Sequence, residues 1–150
     1  EAIKAFPTST IFIVGGIFPL SKALVSSGAA EYLVNAISPV LSNLPPIVLL
    51  GAITFLMLLT TQFLMNSSAT VLVLPIAIML CQAAGINPLA GAMSVSVCAS
   101  GAFVTPFGTA PNLLVWEAGG YSVKDYLKCG FPMLIIFGVV TTALCAVFYL

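Results

Sequence analysis

Charge is what this sequence has least of. Only 5% of its 150 residues are charged, and histidine is absent. An average soluble domain carries about 25% charged residues. Lys4, Lys22, Lys124 and Lys128 balance Glu1, Glu31, Glu117 and Asp125, and no charged residue lies between Tyr32 and Trp116. A chain that is 61% hydrophobic cannot cover a water-facing surface with so few ions. The solvent that fits is lipid, so the chain reads as an integral membrane protein.

Each shortage excludes a class. Without a basic excess there is no footprint for nucleic acid. Without histidine there is no Ser–His or Cys–His pair, no haem ligand of that type and no His-rich metal site. Nor is there a plausible base for Ser67 or Ser68, and the chain is not expected to be an enzyme. No polar low-complexity tract suggests disorder. Cys81, Cys98, Cys129 and Cys145 share no CxxC spacing and read as small buried hydrophobes. No charged n-region with a small-residue cleavage site marks a signal peptide. The chain starts at Glu1 and stops inside the apolar run Val147-Phe148-Tyr149-Leu150, which reads as a fragment of a longer protein.

What is present falls into segments of unequal length. A helix needs about 20 apolar residues to cross the hydrocarbon core. Residues 5–20 and 130–150 satisfy this and are expected to span. Residues 21–44 mix Lys22, Glu31, Ser and Asn with apolar positions at helical spacing, Leu24, Val25, Gly28, Tyr32 and Ala36, which suits an amphipathic helix lying at the interface. Ser42-Asn43-Leu44-Pro45-Pro46 then breaks the chain.

Two apolar arms follow, Ile47–Leu59 and Val71–Ala83, around a polar centre from Thr60 to Thr70. Arms of about 13 residues reach only about 20 Å against a core of about 30 Å. The spacing therefore predicts a re-entrant hairpin over 46–83 with its tip at 61–70. The alternative is a plain two-helix hairpin with an outside loop, since the arms lengthen if Thr60, Thr61 and Thr70 count as apolar. From Pro88 to Glu117 the theme repeats. A stretch rich in Ala and Gly is interrupted by Thr105-Pro106-Phe107-Gly108-Thr109-Ala110-Pro111-Asn112, which predicts a broken transmembrane helix resuming near Leu113. A simple proline kink is the alternative. Lys124 and Lys128 before the last span place residues 118–129 on the cytoplasmic side by the positive-inside rule.

Broken helices leave carbonyls and N–H groups that cannot be abandoned in lipid. Carbonyl ends suit a small hard cation, and N–H ends suit an anion. The tip offers carbonyls from Thr61–Leu64 with Asn66, Ser67 and Ser68; the break offers Thr109, Asn112 and carbonyls around Gly108. Neutral oxygens of this kind suit Na⁺ better than a transition metal. Glu117 is the one acid near the breaks and reads as an interface residue.

The motifs resemble those of the divalent anion:sodium symporter family, within the superfamily of citrate, arsenite and Na⁺/H⁺ carriers. They are the hairpin tip and second arm Met65-Asn66-Ser67-Ser68-Ala69-Thr70-Val71-Leu72-Val73-Leu74-Pro75-Ile76, the break Gly108-Thr109-Ala110-Pro111-Asn112, the segment Gly119–Tyr126, and the opening stretch Ile11–Gly28. The resemblance covers nearly the whole chain. It implies an all-α, polytopic transmembrane protein forming the second of two inverted repeats in a multi-pass carrier of the plasma or inner membrane. It implies a sodium site made by Thr61, the backbone of Leu64, Asn66 and the backbone near Gly108. It implies an anionic substrate held by Asn66, Ser67 and Thr109. An N-terminal repeat, absent here, would supply a matching tip, and the carrier would be a homodimer working as an elevator. Two departures from the family pattern bear on the site. Met65 stands for Ser and loses a hydroxyl, which leaves the substrate open among dicarboxylate, sulfate and other anions. Ala110 stands for the first proline of a pair and leaves a backbone N–H free. Ser67 for Thr keeps the hydroxyl. The alternatives are a proton-coupled or exchange carrier of the same superfamily and a non-transporting assembly subunit.

Overall fold

The computed structural model describes residues 44–150 continuously, with isolated positions 19, 22, 23, 26–29, 32 and 35 before them. Apart from those positions, the expected span at 5–20 and the interfacial helix at 21–44 lie outside the described residues. Every regular element among the described residues is an α-helix: α1 Pro46–Thr61, α2 Asn66–Ala83, α3 Pro88–Cys98, α4 Ala110–Gly119 and α5 Val123–Tyr149.

Local chemistry explains most of these boundaries. α1 opens on Pro46, whose fixed φ and missing N–H suit a first helical position. α2 closes at Gly85, with φ +68°. There Ile86 N–H reaches back to the Cys81 carbonyl at 2.9 Å, the six-to-one bond that satisfies an end carbonyl. α3 opens two residues later, where the Asn87 side chain accepts from Leu89 N–H at 3.0 Å and Pro88 occupies the first turn. α5 opens with a capping box, Ser122 and Asp125 exchanging hydrogen bonds as such boxes do.

The structure redraws the expected hairpin. The helices flanking the tip run 16 and 18 residues, about 24 and 27 Å, and the tip shrinks to 62–65. Threonine is the reason. Thr60, Thr61 and Thr70 turn their hydroxyls onto the carbonyls of Leu56, Leu58 and Asn66 at 2.7, 3.0 and 2.7 Å. A hydroxyl satisfied by its own helix no longer forces the backbone out of helical form. Two described helices, α2 and α5, are long and apolar enough to cross a membrane, whereas α1 and α3 are apolar but shorter. The last helix starts at Val123, seven residues before the expected span, and carries Pro132 in its interior.

α2 and α3 pack most extensively, and α1 and α5 close the bundle around α3. Small residues permit the close approaches. A Cβ on Gly91 of α3 would stand 2.7 Å from Cys81 Sγ of α2, and one on Gly138 of α5 would stand 2.8 Å from the Phe55 ring of α1. The core mixes Leu49, Leu50, Ile53, Met57, Leu58, Val73 and Val95 with fully buried Thr54, Thr61 and Ser94. Thr54 and Ser94 share a 2.6 Å hydrogen bond between α1 and α3. Meanwhile Phe131, Ile136, Val139, Val140, Val147 and Phe148 of α5 are exposed. Bulky hydrocarbon on the outer face is what a bilayer favours, because lipid solvates it, while the buried hydroxyls find partners inside the bundle and exposed Ser96 bonds its own helix at Ala92.

Candidate functional site

The tip after α1 and the irregular stretch between α3 and α4 meet, and one side chain makes most of the contact. Gln62 follows the last residue of α1 and is only 4% exposed. Its Nε2 donates to the Leu58 carbonyl at 2.7 Å and to the Gly101 carbonyl at 2.9 Å. Its Oε1 accepts from Val104 N–H at 3.0 Å. Its own carbonyl accepts from the Thr105 hydroxyl at 2.8 Å. Three of these four hydrogen bonds join the tip to the interruption, two of them through backbone groups of Gly101 and Val104 that lie outside any helix, and the fourth holds the side chain to α1.

This contact also explains where the broken helix breaks. The helix was expected to continue toward residue 104 and to resume near Leu113. Instead α3 ends at Cys98, and α4 begins at Ala110 with Thr109 at its N-cap and Pro111 in its first turn. The interruption therefore spans 99–109. Its backbone is held by side chains from elsewhere: Gly101 and Val104 by Gln62, and the carbonyls of Ala102 and Thr105 by Asn112 Nδ2 at 2.7 and 3.2 Å. Asn112, expected near the cap, sits within the first turn and reaches back over the break. Tyr126 of α5 donates its hydroxyl to the Asn112 carbonyl at 2.8 Å. Behind the break, Gly130 of α5 lies so close to Phe103 and Val104 that a Cβ would strike their backbone, and the Phe103 and Phe137 rings meet edge to face at 5.3 Å.

Of the sequence-derived site residues, Thr61 and Gly108 are brought together. A Cβ on Gly108 would lie 2.8 Å from Ala102 Cβ and 2.9 Å from Thr105 Oγ1, so glycine is what lets the break fold tightly on itself, and the same point lies 3.4 Å, an ordinary contact distance, from the Thr61 carbonyl oxygen. The Thr61 hydroxyl is spent on its own helix, which leaves its carbonyl as the group offered at this contact. Leu64 lies on the tip with its N–H bonded to the Thr60 carbonyl at 3.0 Å and its side chain exposed. Asn66 opens α2, and its Oδ1 is buried without a hydrogen-bond partner among the described residues. Ser67 is exposed and Thr109 half-buried. No hydrogen bond joins Asn66, Ser67 and Thr109 to one another among the described residues.

Both restarting helices begin without a side-chain cap. Met65, the N-cap of α2, has no oxygen to offer, and Thr109, the N-cap of α4, makes no capping bond. Their first-turn N–H groups stay available at the positive end of each helix dipole, which favours an anion. By contrast, a hollow of about 390 Å³ between α4 and α5 is lined by Asn112, Val115, Tyr121, Asp125, Tyr126 and Cys129; a carboxylate in its wall makes it a poor place for an anion.

The Gln62 side chain had no role in the sequence reading, which counted only carbonyls over Thr61–Leu64. The available signal was its setting: an uncharged amide in a long chargeless stretch must find partners inside the protein. What those partners were depended on backbone about forty residues away, which no local pattern shows.

An all-helical set of described elements, two of them long and apolar enough to cross a membrane, with bulky apolar side chains on the outside of α5, is the make-up of a helical membrane protein. Comparison with known proteins narrows this further. Residues 4–150 match the family described as the sodium:sulfate symporter transmembrane region, and the chain belongs to that family. An uncharacterized transporter of Synechocystis is 32% identical over 149 residues, 99% of this chain and 24% of that protein. Mouse solute carrier family 13 member 2 is 33% identical over 138 residues, 92% of this chain and 23% of that protein. A sodium-dependent dicarboxylate transporter of Staphylococcus saprophyticus is 29% identical over 131 residues, 87% of this chain and 25% of that protein. The chain thus spans about a quarter of the length of these relatives.

Proposed function

We propose that the intact protein containing this chain is a secondary active transporter that moves a divalent anion, dicarboxylate or sulfate, together with Na⁺. The observation that carries the reading is at the tip. The Thr61 carbonyl faces Gly108 across the contact with the break, and Asn66 Oδ1 on the same tip is buried without a partner among the described residues. A buried acceptor with no donor is what a hard cation takes up, since Na⁺ replaces its water with neutral oxygens. Thr61 O, the backbone of Leu64, Asn66 Oδ1 and the backbone of Gly108 would hold the ion. Asn66 Nδ2, the hydroxyls of Ser67 and Thr109, and the first-turn N–H groups of α2 and α4 would meet the anion. Bound Na⁺ would offset charge that the protein, with no cation among these residues, cannot neutralise itself. The names of the relatives point the same way, one being a sodium-dependent dicarboxylate transporter and another a Na⁺/citrate cotransporter.

In this reading the chain is one of two inverted repeats, with a transmembrane helix at 5–20, an interfacial helix at 21–44, a re-entrant hairpin at 46–83, a broken helix at 88–117 and a last span at 130–150. The protein is a homodimeric, multi-pass carrier of the plasma or inner membrane, and the joined tip and break move together as part of an elevator. The 16-residue α1 supports the re-entrant form, being too short to cross alone. The test is uptake of labelled succinate and sulfate into proteoliposomes holding the intact protein, with and without an inward Na⁺ gradient. Sodium-driven uptake of either anion is expected. Uptake indifferent to sodium would replace this reading with proton coupling or exchange.

A further inference from the structure

We infer that Gln62 is a positioning residue for the cation: it ties the end of α1 to the interruption between α3 and α4, and thereby sets how the Thr61 carbonyl stands against Gly108. The inference rests on the sodium reading above but concerns a residue outside the proposed ligand set.

The geometry is specific. Gln62 is adjacent to Thr61 in the chain, so any tilt of its backbone turns the Thr61 carbonyl. Its amide reaches both sides of a gap. Nε2 bridges the carbonyls of Leu58 on α1 and Gly101 on the break, Oε1 takes the N–H of Val104, and the main-chain oxygen takes the hydroxyl of Thr105. Thr105 Oγ1 in turn lies 2.9 Å from where a Cβ on Gly108 would stand. The chain Thr61–Gln62–Thr105–Gly108 therefore closes a loop around the carbonyl and glycine proposed for the ion. Only a neutral amide fits. The site asks for two donated N–H bonds toward carbonyls and one acceptor toward an N–H, an inventory that Gln meets and an ionised Glu does not. Polar groups buried in this way are expensive to leave unpaired, so the loop has one low-energy arrangement, which is what a site for a bare ion requires.

The experiment measures sodium-driven anion uptake by the intact protein in proteoliposomes, with the parent, Gln62→Ala, Gln62→Glu and Thr54→Val. Thr54→Val is the control for plain destabilisation, because it removes the Thr54–Ser94 bond between α1 and α3 without touching tip or break. For Gln62→Ala, the sodium concentration at half-maximal uptake should rise roughly tenfold or more, as loss of hydrogen bonds to buried groups implies. Its maximal rate per folded molecule should fall less. Gln62→Glu should recover part of the sodium affinity at acidic pH and lose it at alkaline pH, compared with the parent at each pH. Only the protonated carboxyl can donate to the Gly101 carbonyl, and none of its hydrogen-bonding neighbours (Leu58, Thr61, Gly101, Val104, Thr105) titrates. Thr54→Val should lower the yield of folded protein and leave the half-saturating sodium unchanged. If Gln62→Ala does not fold, Gln62→Glu decides alone through its pH profile. A sodium-dependent parent whose Gln62 variants keep the parental half-saturation at every pH overturns this inference only. A sodium-indifferent parent overturns the functional reading and this one with it.

Discussion

Asn66 is the side chain on which the proposed site depends most. It contributes a buried oxygen that has no donor among the described residues, and no packing argument explains an orphaned acceptor, which destabilises a protein by about 1–3 kcal/mol. Asn66→Ala is therefore expected to leave the folded protein in the membrane at close to parental amounts, or slightly more stable. Sodium-driven uptake should drop at least about tenfold, since an ion ligand and a substrate contact go together. Size-exclusion profiles in detergent, run beside uptake assays, check both halves; normal sodium-dependent uptake would remove Asn66 from the site. Asn66, Ser67, Thr109, Thr61 and Gly108 were singled out in the sequence, because polar residues and glycine stand out where everything else is apolar, and their roles remain part of the proposal. Gln62 and the clamping role of Asn112 were not. Each bonds backbone whose need for a partner arises only once the helix has stopped, and Gln62 is itself part of what stops it.

Helix boundaries show the same division. α1 and α2 extend further toward the tip than hydropathy suggested, because threonine hydroxyls satisfy themselves on the preceding turn. α3 ends sooner than its small apolar residues suggested, because Gln62 and Asn112 take the backbone groups that the next turn would have used. The two effects run in opposite directions, and neither shows in a hydropathy profile. α5 adds a third: it backs the break, and Gly130 is the point of closest approach, where a Cβ would meet the Phe103 carbonyl and the Val104 Cα. Backbone cannot yield as a flexible side chain can. Gly130→Ala is thus expected to push the break away from α5 and to weaken the bonds of Gln62 to Gly101 and Val104. Amide hydrogen exchange over 101–105 in the intact protein should quicken, while exchange in the middle of α2 stays as it was. Unchanged exchange at 101–105 would show that α5 does not support the break.

For the bundle as one body, we propose an orientation from its few charges. Lys124 and Lys128 flank the start of α5, where the chain turns from α4 through Gly120 at φ +62°, and cationic flanks favour the cytoplasmic side. Cys129, the residue after Lys128, is exposed, whereas Cys81, Cys98 and Cys145 are buried. A membrane-impermeant maleimide should therefore label Cys129 when applied from the cytoplasmic side of oriented vesicles and fail to do so from the other side. The three buried cysteines should react only after denaturation. Labelling of Cys129 from the outer side alone would invert the topology drawn from the lysines.

Composition pointed to lipid as the solvent, and the pattern of apolar segments pointed to helices with two polar interruptions, where the proposed site lies. The energy of placing charge or unpaired backbone in hydrocarbon is large enough to show in a count of residues. It could not settle where each helix stops, which interruption touches which, or that Gln62 joins them. Those follow from hydrogen bonds between residues some forty positions apart. Such bonds exist only after α1, α3 and α5 have packed through their small residues and brought the tip against the break.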